Sequence, residues 1–194
     1  MRYLKYTYVD AVTGVPVTQE PARNGPVPPG VAGLEFGFAL ESEYPTLIPV
    51  LYGTCPEESV IDLPGVLAEL SGAEFQAALG AEMVARRERL TQQIADRRWR
   101  AEVAGIDIGG IRIDTGRDSQ ALITGATVQA MLDPNYSLRW KTVAGFVDLT
   151  AEQIIAVATA ARGHVQACFN REAELLDALA AGTFTPEMLD QGWP

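Results

Sequence analysis

The sequence predicts an α+β protein: a small N-terminal β module with a proline-rich arm, a long linking helix, and a C-terminal helix–hairpin–helix–hairpin–helix domain. Three observations predict it. Before residue 66 the chain is rich in proline and glycine and its apolar residues alternate with polar ones, the period of half-buried strands. After it come long alanine-rich segments with helical spacing. Between those segments, short β-favouring runs flank glycine turns. The expected boundaries are 1–65 for the β module and arm, 66–104 for the helix and 105–194 for the C-terminal domain.

Each element has its own signal. Tyr3, Tyr6, Tyr8 and Val9 form an aromatic strand run, and Val15 to Thr18 returns from it as a short hairpin. Residues 19–33 hold four prolines, so a loop or extended arm without regular structure is expected there. Leu34, Phe36, Phe38 and Leu40 alternate with polar or small residues as a strand, and 46–52 offers its return. Ser71 and Glu74 fit a capping box opening a helix from about 73 to 103, roughly 45 Å long at 1.5 Å per residue. Phe75, Leu79, Met83, Leu90, Ile94 and Ala101 make a narrow apolar stripe on it, suited either to self-association or to packing within its own domain. Gly105 stops that helix.

Ile106, Ile108, Ile111 and Ile113 then flank Gly109-Gly110 as a tight hairpin. Asp118 or Ser119 is expected to cap a second helix that ends at Asp133-Pro134-Asn135. A second hairpin spans Leu138 to Asp148 with its turn at Ala144-Gly145. Thr150 and Gln153 form another capping box before a long helix through Ile154, Val157, Ala161, Val165, Phe169, Leu176 and Leu179, and Thr185-Pro186 opens a last short turn.

Composition narrows function by exclusion. The 194 residues are 47% hydrophobic and 21% charged, the balance of a globular protein. A net charge of −10 gives no general attraction for nucleic acid or anionic lipid, and no membrane insertion is expected. The first residues lack the apolar core of a signal peptide, so synthesis in a cytoplasm is expected. Cys55 and Cys168 suggest neither a disulfide framework nor a thiol metal site. His164 stands alone without metal-ligand spacing around it, and the glycines at 105, 109 and 110 do not match a dinucleotide fingerprint, so no cofactor or metal is expected. Residues 81–100 are the only basic stretch, with 6 basic and 3 acidic side chains between two acidic regions. Arg86, Arg87, Arg89, Arg97, Arg98 and Arg100 there form either a solvated helix face or a docking face for acidic protein surfaces.

From Arg98 onward the chain carries a set of distinctive segments: Arg98-Trp99-Arg100-Ala101-Glu102, Ile113-Asp114-Thr115, Arg117-Asp118-Ser119-Gln120-Ala121, Trp140-Lys141, Gly145 to Thr150, and His164 to Glu172. On these residues, 98–194 resembles a domain of unknown function found in bacteriophage tail-fibre and tail-assembly proteins. Gly116 stands where that domain often has aspartate. The resemblance implies a non-enzymatic role at the host-contacting end of a phage tail: either a structural protein of the tail tip or tail fibre, or a fibre-assembly chaperone absent from the finished particle. Implied partners are tail-fibre, tail-hub or receptor-binding proteins and further copies of the chain, a trimer among the options. The implied location is the virion tail. Physically, Arg117, Asp118, Ser119 and Gln120 are expected to cap the helix and lock the hairpin to the long helices. Trp99, Trp140, Phe146 and Phe169 are expected as core anchors.

Overall fold

A computed structural model describes residues 1–17, 26–40, 50–142 and 145–194. It shows a mixed α+β protein with several small sheets and three long helices. The chain divides into two compact units, Met1–Arg89 and Leu90–Pro194, with the division falling inside the first helix, α1 (Gly72–Glu102).

The N-terminal unit is built on a four-stranded antiparallel sheet of β1 (Arg2–Tyr6), β4 (Glu35–Ala39), β5 (Leu51–Cys55) and β6 (Val66–Leu70), in the order β4-β5-β1-β6. Its period-two pattern fills both faces. Leu4 and Tyr6 pack with Leu51, Cys55 and Val31 in one cluster, while Tyr52 stacks on Phe38 at 4.7 Å between ring centroids in another. Phe75, from the first turns of α1, meets Phe38 edge-on at 5.3 Å and so fastens the helix start to the sheet. The capping box is present: Ser71 Oγ accepts from Glu74 N at 3.2 Å and Glu74 Oε2 accepts from Ser71 N at 2.8 Å.

Several expectations change here. The sheet continues past Pro64-Gly65, because Val66–Leu70 pairs with β1 before the helix begins. The arm is not wholly irregular: β3 (Pro26–Val27) pairs antiparallel with β2 (Val9–Asp10), a two-residue ladder short enough to tolerate proline. Phe36 is exposed because the register shifts between Phe36 and Phe38 and breaks the alternation. The return strand begins at Leu51, and the part of that expectation covering 46–49 lies outside the described residues, as do Thr18 and residues 19–25.

In the second unit, β7 (Ile106–Ile108) and β8 (Ile111–Ile113) form the expected hairpin, with Gly109 and Gly110 at φ +58° and +82°, values that L side chains rarely adopt. Helix α2 (Arg117–Leu132) follows, then the hairpin of β9 (Ser137–Thr142) and β10 (Gly145–Thr150). The expected turn residue Ala144 lies outside the described residues. Helix α3 (Ala151–Ala180) opens on the Thr150–Gln153 capping box, and a short 3-10 helix spans Pro186–Asp190.

Two apolar clusters hold these elements. Ile113, Ile123, Val157 and Ala161 form one; Ala130, Leu149, Ala151 and Ile154 form the other; and Trp140 packs against both. Trp140 is therefore the core anchor the sequence suggested. Phe146 is not: it is 62% exposed, because Val147 and Leu149 take the inward positions of β10. Both cysteines are buried and unpaired with each other. Along the α1 stripe, Phe75, Ile94 and Ala101 are buried, whereas Met83 is 65% exposed.

Candidate functional site

Three of the polar residues quoted from the C-terminal segments, Arg98, Arg117 and Gln120, converge on one side chain, Glu102. It sits in the last turn of α1 and is fully buried. Its place on the buried stripe follows from helical spacing, since Ile94, Arg98 and Glu102 succeed one another at i, i+4 and i+8. A carboxylate there requires charged and hydrogen-bonding partners. Arg98 supplies one from the same helix, Nη1 to Oε2. Arg117 from the start of α2 brings Nε to 3.1 Å of Oε1, and Gln120 Nε2 donates to that oxygen at 3.2 Å. Arg98 also reaches Glu172 on α3 at 3.2 Å, so two arginines balance two carboxylates across all three helices.

Backbone groups complete the arrangement. The hydroxyl of Thr115, fully buried, donates to the Glu102 carbonyl at 2.6 Å and accepts from Gly105 N at 2.9 Å. It thereby closes the end of α1 onto the loop between β8 and α2. Gln120 Nε2 donates to the Thr115 carbonyl at 2.8 Å, tying the same loop to the next helix. Arg112 donates to the Ala104 carbonyl. His164 Nε2 lies 3.0 Å from the Ala101 carbonyl oxygen, which only accepts, so this nitrogen carries the proton. The lone histidine thus joins α3 to α1.

Aromatic residues flank the network from outside. The Arg98 guanidinium lies 4.7 Å over the Phe169 ring, and that of Arg117 lies 5.3 Å over Trp99. Phe169 and Trp99 are 40% and 43% exposed, so each covers an arginine rather than anchoring the core as expected.

The expected cap also needs correction. The N-cap of α2 is Gly116, without a side-chain cap bond, and Asp118 lies in the first turn. Ser119 instead donates to Asp114 Oδ2 at 2.6 Å, while Gly116 N donates to Oδ1 at 3.0 Å. These bonds hold the Asp114 carboxyl below its usual range. Its contribution is therefore complete above the unfolded value near about pH 4 and is lost as pH falls through the folded one. Ser119→Ala is expected to lower the melting temperature at pH 7, with the gap from wild type narrowing as the pH of the melts falls below the ordinary carboxylate range. A constant gap would contradict this role for the pair.

The basic cluster of α1 is divided. Arg89 pairs with Glu82 at 2.8 Å, and Arg97 lies 5.4 Å over the Trp193 ring and 4.0 Å from Asp190. Arg86, Arg87 and Arg100 are exposed. Glu102, Thr115 and Glu172 are the members that sequence reasoning did not single out. The signal for Glu102 was a carboxylate in phase with the apolar stripe. No group of three or more His, Cys, Asp or Glu side chains placed to hold a metal occurs among the described residues. Nor is any helix among them long and apolar enough to cross a membrane.

This unit defines the class: an α+β domain of two hairpins and long helices clamped around a buried carboxylate. The chain belongs to the family described as Domain of unknown function (DUF4376), whose model matches residues 85–191, more than half of the chain. No curated protein and no solved structure shows a significant match.

Proposed function

We propose that the protein is a bacteriophage tail-tip or tail-fibre-associated structural protein. In this reading it mediates protein–protein docking in the host-recognition apparatus, with tail-fibre, tail-hub or receptor-binding proteins as partners. The resemblance of 98–194 to a domain of phage tail proteins supports the tail setting. The observation that carries the structural role is the direction in which the polar residues around Glu102 face. Arg98, Thr115, Arg117 and Gln120 all bond to Glu102, so these side chains serve the fold. Arginine and aromatic pairs at the surface, Arg117 with Trp99 and Arg139 with Phe146, are the residue types that protein interfaces favour.

Mass spectrometry of purified particles of a phage encoding the chain tests this reading. The chain is expected in the particle, in amounts comparable to other tail components. If it is missing from particles yet needed for soluble fibre, it acts as an assembly chaperone and the structural reading fails.

A further inference from the structure

A groove of about 500 Å³ opens in the second unit between β8, the start of α2 and β9. Its lining includes Arg139, Trp140, Lys141 and Thr142, four consecutive residues of one strand. Side chains of a strand alternate between its faces, so four in a row line one groove only when the groove runs along the strand's edge. That edge is open: β9 pairs with β10 on one side, and no strand pairs with its other side among the described residues. In an antiparallel pair, alternate residues direct their N–H and C=O groups away from the partner strand. The groove therefore presents a row of unpaired backbone donors and acceptors.

Its charge runs against that of the chain. Arg112 on the β8 side and Arg139 and Lys141 on the β9 side give three cations to one carboxylate, Asp114, in a protein of net charge −10. Asp114 is already engaged by Ser119 and the Gly116 amide, and Arg112 uses one donor on the Ala104 carbonyl while keeping its charge. Arg139 lies 5.8 Å over the Phe146 ring and has a loose ion-pair partner, Asp148 at 3.9 Å, in a pair 74% and 82% exposed. Lys141 is exposed and has no ion pair among the described residues.

We propose that this groove binds an acidic, extended segment of a partner protein, which adds to β9 as a strand while its carboxylates face Arg112, Arg139 and Lys141. Strand addition supplies sequence-independent backbone bonds, and the cations select the acidic partner. Small free anions would use the cations alone and leave the strand edge unpaired. The proposal goes beyond the tail reading and does not depend on it: a chain absent from particles would keep the same groove and the same preference.

The test uses the full chain and a fluorescent peptide of about eight residues alternating glutamate and valine, read by anisotropy. Expected results are binding that weakens with added salt, and hydrogen-exchange protection centred on the amides of β9. Peptides with lysine in place of glutamate, or with backbone N-methyl groups at alternate positions, should bind about tenfold or more weakly. Lys141→Glu and Arg139→Glu should each weaken binding by about tenfold, and Lys141→Gln serves if charge reversal disturbs folding. Several results would overturn the proposal: no binding, equal binding of the N-methylated peptide, protection away from β9, tighter binding of a single-stranded oligonucleotide, or a groove closed by a second copy in sedimentation.

Discussion

Glu102→Gln is expected to destabilise the second unit by about 3 kcal/mol, the lower end of the range for removing one partner of a buried ion pair. The substitution keeps the shape and one acceptor oxygen but removes the charge that Arg98 and Arg117 face. The lower end applies because neither arginine is stranded. Arg98 keeps Glu172 at 3.2 Å, and Arg117, 58% exposed, returns to water. The measurement is direct, since all three tryptophans, Trp99, Trp140 and Trp193, lie in this unit. Urea unfolding followed by tryptophan fluorescence should show a midpoint shift with unchanged slope. A loss under about 1 kcal/mol would mean that the carboxylate does not organise the fold.

Thr115→Val is expected to cost about 2–4 kcal/mol by the same readout. The side chain is fully buried, and its hydroxyl both donates to the Glu102 carbonyl and accepts from the Gly105 amide. Valine fills the same volume but leaves two backbone groups without that partner, each worth about 1–3 kcal/mol when buried and unsatisfied. Thr115→Ser retains the hydroxyl and should recover most of the loss. A loss under about 1 kcal/mol for valine would contradict this role for the hydroxyl.

Much of the local structure was legible because local physics decides it. The Ser71 and Thr150 capping boxes, the Gly105 stop and the Gly109-Gly110 turn each depend on a few neighbouring residues, and each appears where the sequence places it. Pairing between distant segments was less legible. Val66–Leu70 joins β1 across more than sixty residues, and the proline arm gives two residues to a ladder with Val9–Asp10. Nothing within those segments names the partner.

The site was partly legible. Arg117 and Gln120 lock the fold as the sequence suggests, but they do so around Glu102, and Arg98, which the sequence places in a solvated or docking face, is part of the same buried arrangement. Phe146 was misplaced because its size suggested burial, although the alternation puts it on the same face as Asp148 and opposite Val147 and Leu149. Ser119 was expected at the helix cap, yet Asp114 lies five residues before it and takes its hydroxyl. Phe169 and Trp99 follow the same logic: each ring sits against an arginine, where an aromatic face and a cation attract without full burial.

Arg98, Arg117, Gln120 and Glu102 act on one another to hold this unit together. A double-mutant cycle between Glu102→Gln and Arg98→Met in the full chain, measured by tryptophan-monitored urea unfolding, tests this most directly. A coupling energy of at least about 1 kcal/mol is expected, with the double variant more stable than the sum of the single losses implies. Losses that add to within about 0.5 kcal/mol would show that the two side chains act independently and would contradict the claim.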